Sequence, residues 1–251
     1  MTATGKAYIP LALGLLCGAG RARASGLNIS PVQVWLTPEA SKSLLTLRNE
    51  GPDDERYQVS VMSWDEDART GMKLAPTEEI IVFPIILELK VGETRSLRVG
   101  SLVPFGPIEK TYRVFLEELP AAEKPQVRST VRVLTRVGIP VFLAPVKSLE
   151  DHKLSALSLG GGGAAVDVQN TGNVHLRVDS VRLEGFAQGG EKLFEKQAQG
   201  WYVLAGGHRR YELEVPKDAC AKVRRLVVSV KTDKEQVLQE PLDTPGGACH
   251  S

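Results

Sequence analysis

The chain has 251 residues, with 31 basic against 30 acidic side chains and 42% hydrophobic residues. That near-neutral balance lacks the basic footprint of a nucleic-acid binder. No later stretch reaches the roughly eighteen unbroken apolar residues of a membrane-spanning helix, and the length suits one large or two ordinary domains.

The opening residues "MTATGKAYIPLALGLLCGAGRARAS" read as a secretory signal. Lys6 supplies the positive start, Ala7 to Gly20 the apolar stretch, and Ala22-Arg23-Ala24 the small-x-small site, so cleavage is predicted after Ala24. The apolar stretch is short and broken by Pro10 and glycines, which disfavours a membrane anchor. Acylation of Cys17 is disfavoured too, because Leu16 stands where a lipoprotein signal needs a small residue. Removing residues 1–24 takes Lys6, Arg21 and Arg23 and no acid, leaving 28 basic against 30 acidic groups in about 227 residues.

Almost everything that follows reads as strand. Period-two alternation recurs in 27–36, 42–49, 56–64, 78–83, 94–100 and 111–119, separated by turn signals such as Asn49-Glu50-Gly51-Pro52-Asp53 and Pro104-Phe105-Gly106-Pro107. The next stretch, "VRSTVRVLTRVGIPVFLAP" (127–145), alternates for about fifteen residues, whereas strands usually run to about five or six. Seven short strands at this spacing predict an immunoglobulin-like sandwich. A second, smaller sandwich is predicted from the runs 154–160, 164–172, 175–185, 200–206, 209–215, 223–230 and 235–242. The expected division is therefore 1–24 signal, 25–147 first domain, 148–251 second domain, all-β throughout.

A terminal strand as long as 127–143 exceeds what a small sandwich pairs, so part of it is expected at an edge. Exposed edges with a bulky alternating face invite another strand. The alternation alone leaves two uses for these valines: packing the chain's own core, or filling a partner's. Cys220 and Cys249, the cysteines left after cleavage, flank two strand-like runs and are expected to form a disulfide in an exported protein.

Catalysis finds little support. His152, His175, His208 and His250 lack ligand spacing, and there is no Gly-x-Ser-x-Gly nucleophile motif. Glu117 and Glu118 point to opposite faces of one strand. The run "GGGG" (160–163) has no following Lys-Ser or Lys-Thr and reads as a connector rather than a phosphate cradle.

Four stretches in order, "PTEEIIVFPIILELKVGETRSLRVG" (76–100), "YRVFLEELP" (112–120), "RVGIPVFLAP" (136–145) and "NTGNVHLRV" (170–178), resemble the PapD-like periplasmic chaperones of the chaperone–usher pilus pathway. "SWDEDARTGMKLAPTEEIIVFP" with "GIPVF" is most similar to the archaic, spore-coat-U-type branch. The resemblance implies two immunoglobulin-like sandwiches in a boomerang, no cofactor or metal, and a periplasmic location. It implies two kinds of partner: pilus subunits that lack a final strand, and an outer-membrane usher. The chaperone inserts its seventh strand into the subunit's open groove, a strand-addition mode known for chaperone–pilin pairs. On this chain the donor face would be Val127, Val131, Val133, Thr135 and Val137. Burying four valines is worth about 6–12 kcal/mol before ordering costs, enough for tight binding without ATP.

Such chaperones also anchor the subunit's C-terminal carboxylate between the domains with two cations. Here Gln33 stands at the first-strand position and Pro140 at the usual lysine position. Arg136, on the same face two pleat repeats earlier, is the expected replacement, since a guanidinium grips a carboxylate bidentately. Glu109 and Asp233 match the acidic members of an interdomain charge cluster, and Ala144 stands where its arginine would be. The competing reading is an exported structural or adhesive two-sandwich protein without chaperone activity.

Overall fold

The computed structural model describes residues 26–66, 71–120, 133–160 and 162–249. Two strand groups follow one another along the chain. The first comprises β1 (Leu27–Ser30), β2 (Val34–Leu36), β3 (Lys42–Asn49), β4 (Glu55–Asp65) and β5 (Lys73–Pro76). It continues with β6 (Ile80–Phe83), β7 (Ile86–Leu89), β8 (Thr94–Ser101), β9 (Lys110–Glu118) and β10 (Arg136–Leu143). The second comprises β11 (His152–Leu154), β12 (Ser158–Gly160), β13 (Gly163–Asn170), β14 (Leu176–Phe186) and β15 (Lys192–Gln199). Its last members are β16 (Tyr202–Val203), β17 (His208–Glu214), β18 (Arg225–Thr232) and β19 (Val237–Asp243).

Each group makes two facing sheets. In the first, β1-β3-β8-β6 packs on β2-β10-β9-β4-β5, with β7 added along β4. In the second, the sheet of β11, β12, β13 and β17 packs on β15-β14-β18-β19, with β16 on β14. The alternation seen in sequence is what fills the space between sheets. Along β3, Leu45 and Leu47 are buried while Leu44, Thr46 and Arg48 face out. Tyr57 and Val59 on β4 and Leu97 and Val99 on β8 meet them in one core. A separate core gathers Val166, Val168, Val181, Leu183, Val228 and Val230.

Both sandwiches use one polar device at a strand end. Asn49 is buried, its Nδ2 donating to the carbonyls of Asp53 and Leu89 while its Oδ1 accepts from the Gly51 amide. Asn170 repeats this with Val174, Val203, Leu204 and the Gly172 amide. A buried amide side chain is stable only when its groups are satisfied, and these two are. Cys220 and Cys249 are joined, Cα–Cα 4.9 Å, across a separation of 29 residues. Closing a loop of that size restrains the unfolded chain by about 3.5 kcal/mol in the chain-entropy account.

Three sequence expectations change. The long strand expected over 127–143 is strand only from Arg136 among the described residues; Val133 and Leu134 are exposed and unpaired with any strand, so nothing holds them in a ladder. Residues 127–132 lie outside the described residues. The run 200–206 contributes only the two-residue β16, and β15 takes 192–199, a stretch whose mostly exposed side chains hide the alternation that marks a half-buried strand. The short strands β5 and β7 likewise go unannounced by the sequence.

Candidate functional site: an open strand edge beside the interdomain cleft

β10 is paired unequally along its length. Val141 to Leu143 lie between β9 on one side and β2, running parallel, on the other. Arg136 to Pro140 pair with β9 alone; among the described residues no strand takes their other side. The Glu118 amide donates to the Thr135 carbonyl, 2.9 Å. In an antiparallel ladder the main-chain groups of alternate residues point the same way, so Thr135, Val137 and Ile139 address β9 while Arg136 and Gly138 address the open side. Pro140 also faces away from β9, so its missing N–H takes nothing from that ladder.

The inward side chains follow the odd positions. Ile139, Val141 and Leu143 are buried in the first core, and Val137 is half-buried against it. Thr135 is half-buried and its amide donates to Glu118 Oε2, 3.1 Å. Val133 is 83% exposed. Val127 and Val131 are outside the described residues.

The even positions face the cleft between the sandwiches. Arg136 pairs with Glu117, Nε to Oε1 2.7 Å, and its guanidinium lies 4.1 Å from the Phe115 ring centre. At Gly138 an added Cβ would stand 2.9 Å from Phe115 Cε1 and 3.6 Å from Arg113 Nη1, so the glycine makes room for both neighbours. Opposite Pro140 in the register is Arg113 of β9. It is only 9% exposed, with Cζ 4.2 Å from the Trp64 ring centre and 5.6 Å from that of Trp201 in the second sandwich.

Arg113 is the residue that sequence reasoning passed over. No carboxylate among the described residues lies within 4.0 Å of it, and its Nε–H has no hydrogen-bond partner. The Trp64 indole N–H is likewise buried and unpartnered. Desolvation lowers the guanidinium's pKa from its ordinary value, opposed by the nearby Tyr202, yet an arginine keeps its charge in such a setting. Two indole faces stabilise that charge, and the guanidinium keeps an Nε–H with no acceptor in the chain. In the register Arg113 stands opposite Pro140, the position where the resemblance expects a cation. Gln33 lies half-buried in the bend before β2.

Around this seat the sandwiches are tied together. Phe142 stacks on His175 at 3.8 Å and packs near Trp35 and Tyr202, at 4.9 and 5.7 Å. Trp64, Phe142, Tyr202 and Leu204 form a small core of their own. Asn173 bridges the hinge, its Nδ2 donating to the Pro107 and Lys147 carbonyls and its Oδ1 accepting from the Leu149 amide. Glu109 is buried; its Oε1 accepts from the His175 amide at 3.0 Å and lies 2.8 Å from His175 Nδ1. Asp233 does not share that contact. It lines a separate interdomain cavity of about 160 Å3 with Trp35, His175 and the Lys234–Glu150 ion pair.

A second charge sits in the joint. Glu66, 13% exposed at the side chain, has neither carboxylate oxygen in a well-formed hydrogen bond, and Arg209 Nη1 is 4.0 Å away. Desolvation raises its pKa and outweighs the opposing pull of the Leu204 main chain and Arg209. An acid whose folded pKa is raised binds its proton first in the folded state, so its share of stability improves as pH falls toward that value. Glu66→Gln is therefore expected to raise the urea midpoint at pH 7.5 and to lose that advantage as the pH falls to the ordinary carboxylate range. A lower midpoint for the variant at pH 7.5 would mean that the charge is favourably held.

Comparison with known proteins places the fold. Residues 26–148 match the family described as pili and flagellar-assembly chaperone, PapD N-terminal domain. No curated protein matches the chain by sequence. Among solved structures, a chain of the CsuC–CsuE chaperone–tip adhesion subunit pre-assembly complex from archaic Csu pili of Acinetobacter baumannii is similar at 18% identity and TM-score 0.61, covering 85% of this chain and 97% of its own. The E. coli chaperone DraB is similar at 18% identity and TM-score 0.56, over 89% of this chain and 100% of its own. The Salmonella enterica SafA pilin–SafB chaperone complex gives 14% and 0.55, over 89% and 99%. At these identities the likeness is one of fold: an all-β pair of sandwiches. The family match covers the first sandwich, and that domain belongs to the PapD-like fimbrial assembly chaperones.

Proposed function

We propose that this chain is an ATP-independent periplasmic chaperone, exported by residues 1–24, that stabilises pilus subunits by donor-strand complementation and passes them to an outer-membrane usher. The observation that carries the reading is the edge Arg136–Pro140, paired by β9 on one side and, among the described residues, open on the other. A subunit missing its last strand takes that side, with main-chain bonds supplying sequence-tolerant affinity and alternate side chains setting register. Val127, Val131, Val133, Thr135 and Val137 are the donor face; of these, Val137 packs against the chaperone's own core and Val133 is exposed. Arg113 holds the client's C-terminal carboxylate, with Gln33 available as a neutral donor on the β2 side and Arg136 flanking the entry. The CsuC–CsuE and SafA–SafB complexes, which pair a chaperone with a tip adhesion subunit or a pilin, lend support by likeness of fold.

Coexpression with a pilus subunit from the same genome tests this. A soluble one-to-one complex is expected where the subunit alone aggregates. A subunit that stays insoluble in the presence of the folded chain would sink the reading and leave an adhesive or structural sandwich protein in its place.

A further inference from the structure

The arginine seat is covered by a residue from the other sandwich, and that cover has a consequence for what the seat accepts. Trp64, 3% exposed on β4, supplies one indole face to Arg113. Trp201, just ahead of β16, supplies the other from across the joint and is itself 40% exposed. Its amide is held by the Tyr211 hydroxyl at 3.1 Å, and its ring meets Tyr202 edge-on at 5.8 Å. With both rings in place Arg113 is nearly shut from solvent, and its unpartnered Nε–H and that of Trp64 stay dry. A carboxylate reaching the guanidinium meets it in a low-dielectric site, where a charged hydrogen bond is strongest and an uncharged acceptor gains far less.

We infer that Trp201 is a specificity-determining residue: it closes the Arg113 seat against a continuing chain, so that only a client ending in a free carboxylate is held there. This rests on the donor-strand reading above. Two features argue for it. The cover and the cation sit on different sandwiches, so they meet only across the joint that Asn173 and Glu109–His175 bridge. The cover is also the exposed member of the pair, so it is the ring that a client terminus meets first. A client whose chain ran on past the seat would have to displace it.

The test coexpresses wild-type chain, Trp201→Ala and Trp201→Phe with two forms of one pilus subunit: the native terminus, and the same subunit extended by Gly-Ser. Soluble complex is quantified for each pair. Wild type is expected to capture the native form at least tenfold better than the extended one. Trp201→Ala is expected to bring that ratio below threefold, and Trp201→Phe, which keeps an aromatic face, to hold it within threefold of wild type. A Trp201→Ala ratio equal to that of wild type overturns the inference, as does a wild type that captures both forms alike. Should Trp201→Ala capture neither form, Trp201→Phe decides: a wild-type ratio supports the aromatic cover, and a lost one overturns it. Failure of wild type to capture even the native subunit would instead sink the donor-strand reading itself.

Discussion

Arg113→Met is expected to cut capture of a pilus subunit by about 30-fold to several thousand-fold while leaving the chain at least as stable as before. The two halves of that result have separate causes. Truncating one partner of a buried charge pair costs about 2–5 kcal/mol, most of it from the client carboxylate left unpaired in the cleft. The free chain, by contrast, carries a nearly buried cation with no acid beside it and an unsatisfied Nε–H, and exchanging such a group for an apolar one of similar reach is neutral or stabilising. Methionine keeps the stem against Trp64 and fills the space beside Gly138. Binding would be read by titration of subunit complexes and stability by urea midpoint. Loss of both together would mean that Arg113 only supports the fold; retention of binding would remove its anchoring role.

The second large effect concerns the donor face, and it is a contrast between neighbours. Val133→Asp is expected to reduce subunit capture at least a hundredfold and to change the chain's own stability by less than about 0.5 kcal/mol, because Val133 is exposed and packs on nothing in the free molecule. A carboxylate driven into a client's apolar groove loses its water without gaining a partner, at a cost of several kcal/mol. Val137→Asp is expected to impair both properties, since Val137 already packs against the first core. If Val133→Asp protects subunits as well as wild type does, the donor register assigned here is wrong.

Much of the architecture is legible in the chain's spacing. Alternation at 42–49 and 56–64 puts Leu45, Leu47, Tyr57 and Val59 in the core, and the two groups of strands separate near Pro145. Periodicity reports which face a residue takes but not which strand lies beside it. For that reason Arg113 escaped notice: in "TYRVFLEEL" it is one polar residue among several, and it gains meaning only when the register sets it opposite Pro140. The resemblance places Glu109 between the domains, yet its partner His175 is 66 positions away and no local pattern announces the pair. β15 was missed for a different reason. An edge strand with most of its side chains in water carries little alternation to read.

The unequal pairing of β10 has a mechanical meaning. Its lower end is clamped between β2 and β9 and its upper end is gripped from one flank, like a plank built into a wall at one end. A client seated on the free flank is attached to a support whose own foundation takes no part in the attachment. On the donor-strand reading, a client can leave that flank with the β9 and β2 pairings of β10 intact, so release does not require unfolding the carrier.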